Sequence, residues 1–167
     1  MSKLILCTVF SLLAVAAANE PPAATSQTNT PQKVESTPKQ AEQPKLIVHK
    51  TESCGCCIGW VRHMQAAGFR VEVHDENKMD QIKRALGVPA NLESCHTAKI
   101  DRYFIEGHVP AEDVKRLLAE HPNAMGIAVP RMPIGSPGME QGNHREPYDV
   151  LLVQRSGKTS VFAHHGE

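Results

Sequence analysis

The stretch Cys54-Gly55-Cys56-Cys57 packs three thiols into four residues. The outer pair has the CxxC spacing, and Cys57 falls where a helix is expected to begin, so unpaired amides and the helix dipole favour its thiolate. Cys56 is the departure from a simple dithiol. Neighbouring Cα atoms stand about 3.8 Å apart across a trans peptide, below the roughly 4.4–6.8 Å that a disulfide spans, so a Cys56–Cys57 bridge would be strained. Three thiols this close are better explained as shared ligands of a soft cation than as alternative staples. Thiolates select Cu(I), Zn(II) or iron–sulfur clusters. Zinc usually takes four well-separated ligands in a closed tetrahedron, whereas adjacent cysteines suit a sulfur-bridged cuprous site. A metal-free disulfide, Cys54–Cys57 or Cys54–Cys95, is the competing reading.

Further candidates lie downstream. Cys95 and His96 are adjacent just before an expected strand, at a sheet end where they can meet the first loop. The alternative is a small core cysteine beside an ordinary loop histidine. Met132 and Met139 place two thioethers in a Gly/Pro-rich loop, an odd location for residues that usually fill cores, and thioethers are soft copper ligands. His108, between a strand and a helix, is a possible further imidazole ligand or simply a packed residue. His164 and His165 form a terminal pair whose ligand role stays open. Met64 falls on an apolar helix face and is read as packing.

These groups need elements to hold them. Lys3, the apolar run 4–15 and the small residues 16–18 have the order of a secretory signal peptide, and the run is shorter than the roughly 20 residues that span a bilayer. Cys7 lies inside that run, which argues against lipid anchoring. Its removal leaves four of the 5 cysteines in the chain, an even number in an oxidising compartment. Residues 19–44 are Pro, Ala, Thr, Ser and Gln with a few charges and no aromatic side chain, a composition that cannot offset its own ordering entropy and reads as a disordered linker. The balance of 18 basic and 18 acidic residues supplies no field for a phosphate backbone, so nucleic acid is not an expected partner. After signal removal no membrane association is expected.

Order is expected from a strand at 46–48, followed by a turn-like cysteine loop and a helix over 57–67 with Cys57, Trp60, Val61 and Met64 on one face. A strand at 69–73, a helix at 80–86, a hairpin over 97–100 and 103–106, and a helix at 111–120 opened by Pro110 complete a βαβαββα series. Residues 126–142 read as a long sparse loop, and 148–153 with 159–162 as a closing hairpin. The expected organisation is a signal at 1–18, a linker at 19–44, one α/β domain at 45–124 and an extension at 125–167 that completes the metal site.

Taken in order, Cys54-Gly55-Cys56-Cys57 with Trp60, Gly87-Val88-Pro89, Ser94-Cys95-His96-Thr97-Ala98, Ile105-Glu106-Gly107-His108-Val109-Pro110-Ala111 and Met132-Pro133-Ile134-Gly135-Ser136-Pro137-Gly138-Met139-Glu140 resemble the CopG-type periplasmic copper-resistance proteins of Gram-negative bacteria. The resemblance covers residues 46–148. It implies a thioredoxin-like domain whose C-terminal loop and β-hairpin extension help enclose a cysteine-bridged multinuclear copper site, with an oxidoreductase role interconverting Cu(I) and Cu(II). Cys95-His96 stand where thioredoxins carry a proline, which puts ordinary dithiol exchange in doubt. Arg131 stands where glycine is commoner in that family.

The expectation is therefore a periplasmic, monomeric copper-binding protein of copper resistance. Cys54, Cys56, Cys57 and Cys95 are the ligands, Cys54 and Cys57 the redox pair, and His96, His108, Met132 and Met139 additional groups. Copper efflux components or an electron donor are the possible partners. A metal-free thiol–disulfide oxidoreductase and a copper carrier without turnover are the rivals.

Overall fold

A computed structural model describes residues 44–166. The expected signal, and all of the expected linker except Pro44, lie outside the described residues. The strand Leu46–Lys50 (β1) alternates buried and partly exposed positions and runs into the helix Gly55–Ala66 (α1), which buries Cys57, Trp60, Val61 and Met64 on the expected face. The helix begins at Gly55 rather than at Cys57, because the turn closed by Cys54 N–H on the Thr51 carbonyl (3.2 Å) makes Cys54 its N-cap.

The next strand is Val71–Asp75 (β2), two residues later than the sequence pattern places it. Phe69 looks like its first residue, but its amide closes α1 by donating to the Met64 carbonyl at 3.1 Å, beside Gly68 at φ 95°. The helix Met79–Leu86 (α2), a 3-10 turn at Ala90–Leu92, the strands Thr97–Ile100 (β3) and Tyr103–Glu106 (β4), and the helix Ala111–Glu120 (α3) follow in the expected order.

The expected loop at 126–142 is corrected in part, because the strand Ala124–Ala128 (β5) occupies its start. Gly126 misleads there. Any Cβ on it would collide with the Phe104 carbonyl and ring, so this glycine marks two backbones in close approach rather than a break. Tyr148–Gln154 (β6) and Thr159–His165 (β7) form the closing hairpin.

The seven strands make one mixed sheet in the order β2-β1-β3-β4-β5-β6-β7. The β1/β2 and β4/β5 pairs are parallel and the other neighbours antiparallel. One face carries Val48, Ala98, Ile105 and Ile127 against Trp60 of α1 and Leu117 of α3. The other carries Phe104, Ala128 and Val153 with Val88 and Leu92. Among the described residues no helix is long and apolar enough to cross a membrane. The architecture is a mixed α/β fold, and both cysteine-bearing segments open at the same end of its sheet.

Candidate metal centre

Cys54, Cys56 and Cys57 occupy the N-cap and first turn of α1. Cys57 is fully buried, and Cys56 is half-buried. Cys95 arrives from the other side, on the short segment between the 3-10 turn and β3. The buried Leu92 anchors that turn, and the Gly107 amide donates to the His96 carbonyl at 3.0 Å. The sulfurs then meet. Cys54 Sγ lies 3.4 Å from Cys56 Sγ, Cys56 Sγ 3.8 Å from Cys95 Sγ, and Cys57 Sγ 3.5 Å from Cys95 Sγ.

Cys54 and Cys57 are joined as a disulfide across a Cα separation of 5.4 Å, while Cys56 and Cys95 are free thiols. The staple that competes with metal ligation in the sequence is thus present between the outer cysteines. The physical reason is the helical turn, which brings N-cap and third helical position within disulfide reach. It leaves Cys56, the adjacent thiol, unbridged.

Two buried imidazoles complete the group. Cys95 Sγ is 3.3 Å from His96 Nδ1 and 3.0 Å from His108 Nε2. His108 Nδ1 lies 2.8 Å from the Pro137 carbonyl, which can only accept, so Nδ1 carries the proton and Nε2 presents a lone pair to the sulfur. A ring nitrogen pinned to a carbonyl while its partner faces a ligand position is the usual arrangement of metal-binding histidines. His96 lies against the Trp60 ring at 4.4 Å between centroids, and Trp60 Nε1 donates to the Val109 carbonyl at 2.8 Å.

Burial holds the His96 pKa well below the usual imidazole value, and the charges of His108 and Lys83 push the same way. Burial also lowers that of His108, against the Pro137 carbonyl and Glu140. Both rings are therefore neutral near pH 7 and able to donate to a cation. Burial, reinforced by Cys56, raises the Cys95 pKa to about 12, so a cation binding there must displace a proton.

One ligand atom each from Cys54, Cys56, Cys57 and Cys95 lies within 4.8 Å of the others, and the same holds for Cys95, His96 and His108. His96 turns Nδ1 toward Cys95 Sγ, while its Nε2 is buried without a hydrogen-bond partner. The donor set, soft sulfur with neutral imidazole, fits a soft or borderline metal ion.

The loop after β5 covers this end. Gly138, at φ 87°, lies so close to the first turn of α1 that a Cβ would stand 2.6 Å from both the Cys56 carbonyl and the Trp60 nitrogen. Met139 is half-buried in a turn held by its amide to the Ser136 carbonyl, 2.8 Å. Met132 is 47% exposed and faces a groove that it shares with Tyr148, Asp149, His164 and His165. There His164 pairs with Asp149 and His165 with Asp113, each at 2.6 Å. Arg131, at φ 65°, occupies the left-handed region that glycine adopts most easily.

Two nearby residues escape sequence reasoning. Lys83 and Glu106 are both buried and form an ion pair. Lys83 has no sequence signal, since α2 reads as a charged surface helix; Glu106 sits at an inward position of β4. Burial raises the Glu106 pKa, opposed by Lys83 and the Ser94 amide. Thr97, opposite it in the β3–β4 register, also favours the carboxylate, although Thr97 Oγ1 makes no hydrogen bond of ordinary geometry.

The fold and site define a class: α/β proteins with a partly buried cluster of cysteines able to hold a metal ion. A family model described as a protein of unknown function, DUF411, matches residues 92–139. Two solved structures of copper resistance protein CopG are similar over nearly their whole length. Form 2 is 47% identical with TM-score 0.71, covering 74% of this chain and 99% of that one. Form 1 is 46% identical with TM-score 0.72, covering 75% and 100%. No curated protein sequence gives a match. The chain belongs to the CopG family of copper resistance proteins.

Proposed function

We propose that this protein binds copper in the periplasm and serves copper resistance through a thiolate-bridged, multinuclear site built on Cys54, Cys56, Cys57 and Cys95, with His96 and His108 as imidazole donors. The carrying observation is that four cysteine sulfurs converge within 4.8 Å of one another beside two neutral buried imidazoles. Export is supported by the signal-like order of residues 1–18. Copper would supply one-electron chemistry there, since Cu(I) favours sulfur while Cu(II) accepts nitrogen. The chain's own part is to exclude water, keep both imidazoles unprotonated and yield the Cys95 proton. Met139 and Met132 are assigned to the enclosing loop, as additional groups.

A thioredoxin-like domain at 45–124 is supported by its βαβαββα order and by the strand order β2-β1-β3-β4. The extension from 125 contributes the Pro137 carbonyl to His108. A monomer acting on copper ions, with efflux components or an electron donor as partners, completes the reading.

The test is anaerobic purification from the periplasm with metal analysis and thiol counting, on the wild type and on Cys56→Ser. Loss of copper from a folded Cys56→Ser protein is expected; unchanged copper stoichiometry contradicts the proposal. The Cys54–Cys57 disulfide favours a second reading, a metal-free thiol–disulfide oxidoreductase. Reductase activity without added metal that survives Cys56 substitution would select it.

A further inference from the structure

Lys83 and Glu106 are only 3% and 0% exposed, and the Lys83 ammonium donates to Glu106 Oε1. Buried ion pairs seldom stabilise a fold, since apolar side chains of similar volume are often as good or better. Their presence therefore asks for another role. Glu106 Oε1 also accepts the Ser94 amide at 2.6 Å, and Ser94 immediately precedes Cys95. On the far side of Cys95, the Gly107 amide holds the His96 carbonyl at 3.0 Å. Two consecutive residues at the end of β4 thus grip the chain on both flanks of Cys95. The Glu106 carbonyl in turn accepts Val129 N–H at 2.9 Å, tying the grip to the strand bearing the covering loop. Ser94 Oγ donates to the Arg131 carbonyl of that loop.

We propose that Glu106, whose charge Lys83 balances, is a positioning residue for the metal centre: its Oε1 holds the Ser94 amide and thereby sets Cys95 Sγ and His96 Nδ1 at their places among the other donors. This rests on the metal-binding reading above. Glu106 touches no donor sulfur in this role; it acts through the backbone.

The test compares two double variants of the full chain. Lys83→Met with Glu106→Gln removes both charges and keeps a carbonyl acceptor for Ser94. Lys83→Met with Glu106→Leu removes the acceptor too. The Gln form is expected to stay within about twofold of wild type in Cu(I) affinity, read by competition with a chromogenic chelator. The Leu form should lose about tenfold or more and shift its thiolate-to-copper charge-transfer band, with unchanged far-ultraviolet circular dichroism. In metal-free protein, alkylation of Cys95 should accelerate about tenfold in the Leu form alone.

Wild-type behaviour of the Leu form in both assays overturns the proposal, as does equal loss in the two variants. Should the Leu form not fold, hydrogen exchange at the Ser94 amide of the wild type decides: protection supports the grip, and exchange at the unstructured rate refutes it. A wild type that binds no Cu(I) would sink the metal reading, while Cys95 alkylation would still judge the positioning.

Discussion

Replacing Gly138 with alanine probes the closure of the covering loop over the cysteines. Two separate costs apply. At φ 87° a residue bearing Cβ is strained by about 1–2 kcal/mol. The new Cβ would also stand 2.6 Å from the Cys56 carbonyl and the Trp60 nitrogen, neither of which can retreat. Both belong to the first two turns of α1, and Trp60 is fully buried and hydrogen-bonded to Val109. Overpacking of this kind costs about 1–3 kcal/mol, so Gly138→Ala should destabilise by about 2–4 kcal/mol once the smaller entropy of the unfolded alanine chain is allowed for. Gly142→Ala is the internal control, because Gly142 also has positive φ, 56°, but nothing lies within 4 Å of its Cβ position. Only the strain of about 1–2 kcal/mol applies to it, less the same unfolded-chain entropy of about 0.4–1 kcal/mol. Urea unfolding of both variants, with the redox state of Cys54 and Cys57 held constant, measures the difference. Nuclear magnetic resonance of the His108 ring should at the same time report loss of its bond to Pro137 in Gly138→Ala only. If the two variants unfold within about 0.5 kcal/mol of each other, the loop does not press on α1 as described.

In metal-free protein, stability should fall as pH drops below the ordinary histidine value of about 6.5. The unfolded chain then takes up protons that His96 and His108, with lowered pKa values, refuse, at a slope of at most about 1.4 kcal/mol per pH unit for each histidine. Glu106 and Asp113, whose pKa values burial raises, slope the opposite way. The clean measurement is therefore the difference in urea midpoint between wild type and His96→Leu from about pH 7 to 5, where the wild type should show the steeper acid loss; identical slopes would remove His96 from the account. With Cys54–Cys57 oxidised, the Cys95 thiol at about 12 should carry on the order of 10³-fold less thiolate than an unperturbed cysteine. Peptide mapping after iodoacetamide treatment should find Cys95 alkylated correspondingly slowly until urea is added, and rapid labelling in native buffer would contradict its burial.

Much of the frame was readable because its signals are local. The spacing of Cys57, Trp60, Val61 and Met64 announces a helix face, and the structure buries all four. Pro110 lies at the N-cap of α3, directly before its first helical residue, and the Cys54-Gly55-Cys56-Cys57 run carries its own chemistry. The sequence pattern misleads where a residue's role depends on a distant partner. Gly126 resembles a loop residue until Phe104 is seen against it, and Phe69 resembles strand until its amide is found on α1. Lys83 looks solvated on a charged helix, yet its ammonium meets Glu106, 23 residues away in sequence. His108 and Cys95 were identifiable as polar candidates, but only tertiary structure could place Nε2 3.0 Å from that sulfur and turn the ring by the Pro137 carbonyl.

The disulfide and the metal readings differ in which donors remain open. With Cys54–Cys57 closed, the free groups at this end are the thiols of Cys56 and Cys95 and the rings of His96 and His108, two sulfurs and two nitrogens. Opening that bond adds two sulfurs and no nitrogen, because Cys54 and Cys57 are the only groups it releases. Sulfur favours Cu(I), and imidazole is equally at home with Cu(II), so the donor balance of one cage moves with its own thiol oxidation state. Among the described residues Cys95 alone belongs both to the four-sulfur group and to the sulfur–imidazole group. On the proposed function, this makes the placement of Cys95, more than the reactivity of the CxxC pair, the feature that separates a metal centre from an ordinary redox dithiol.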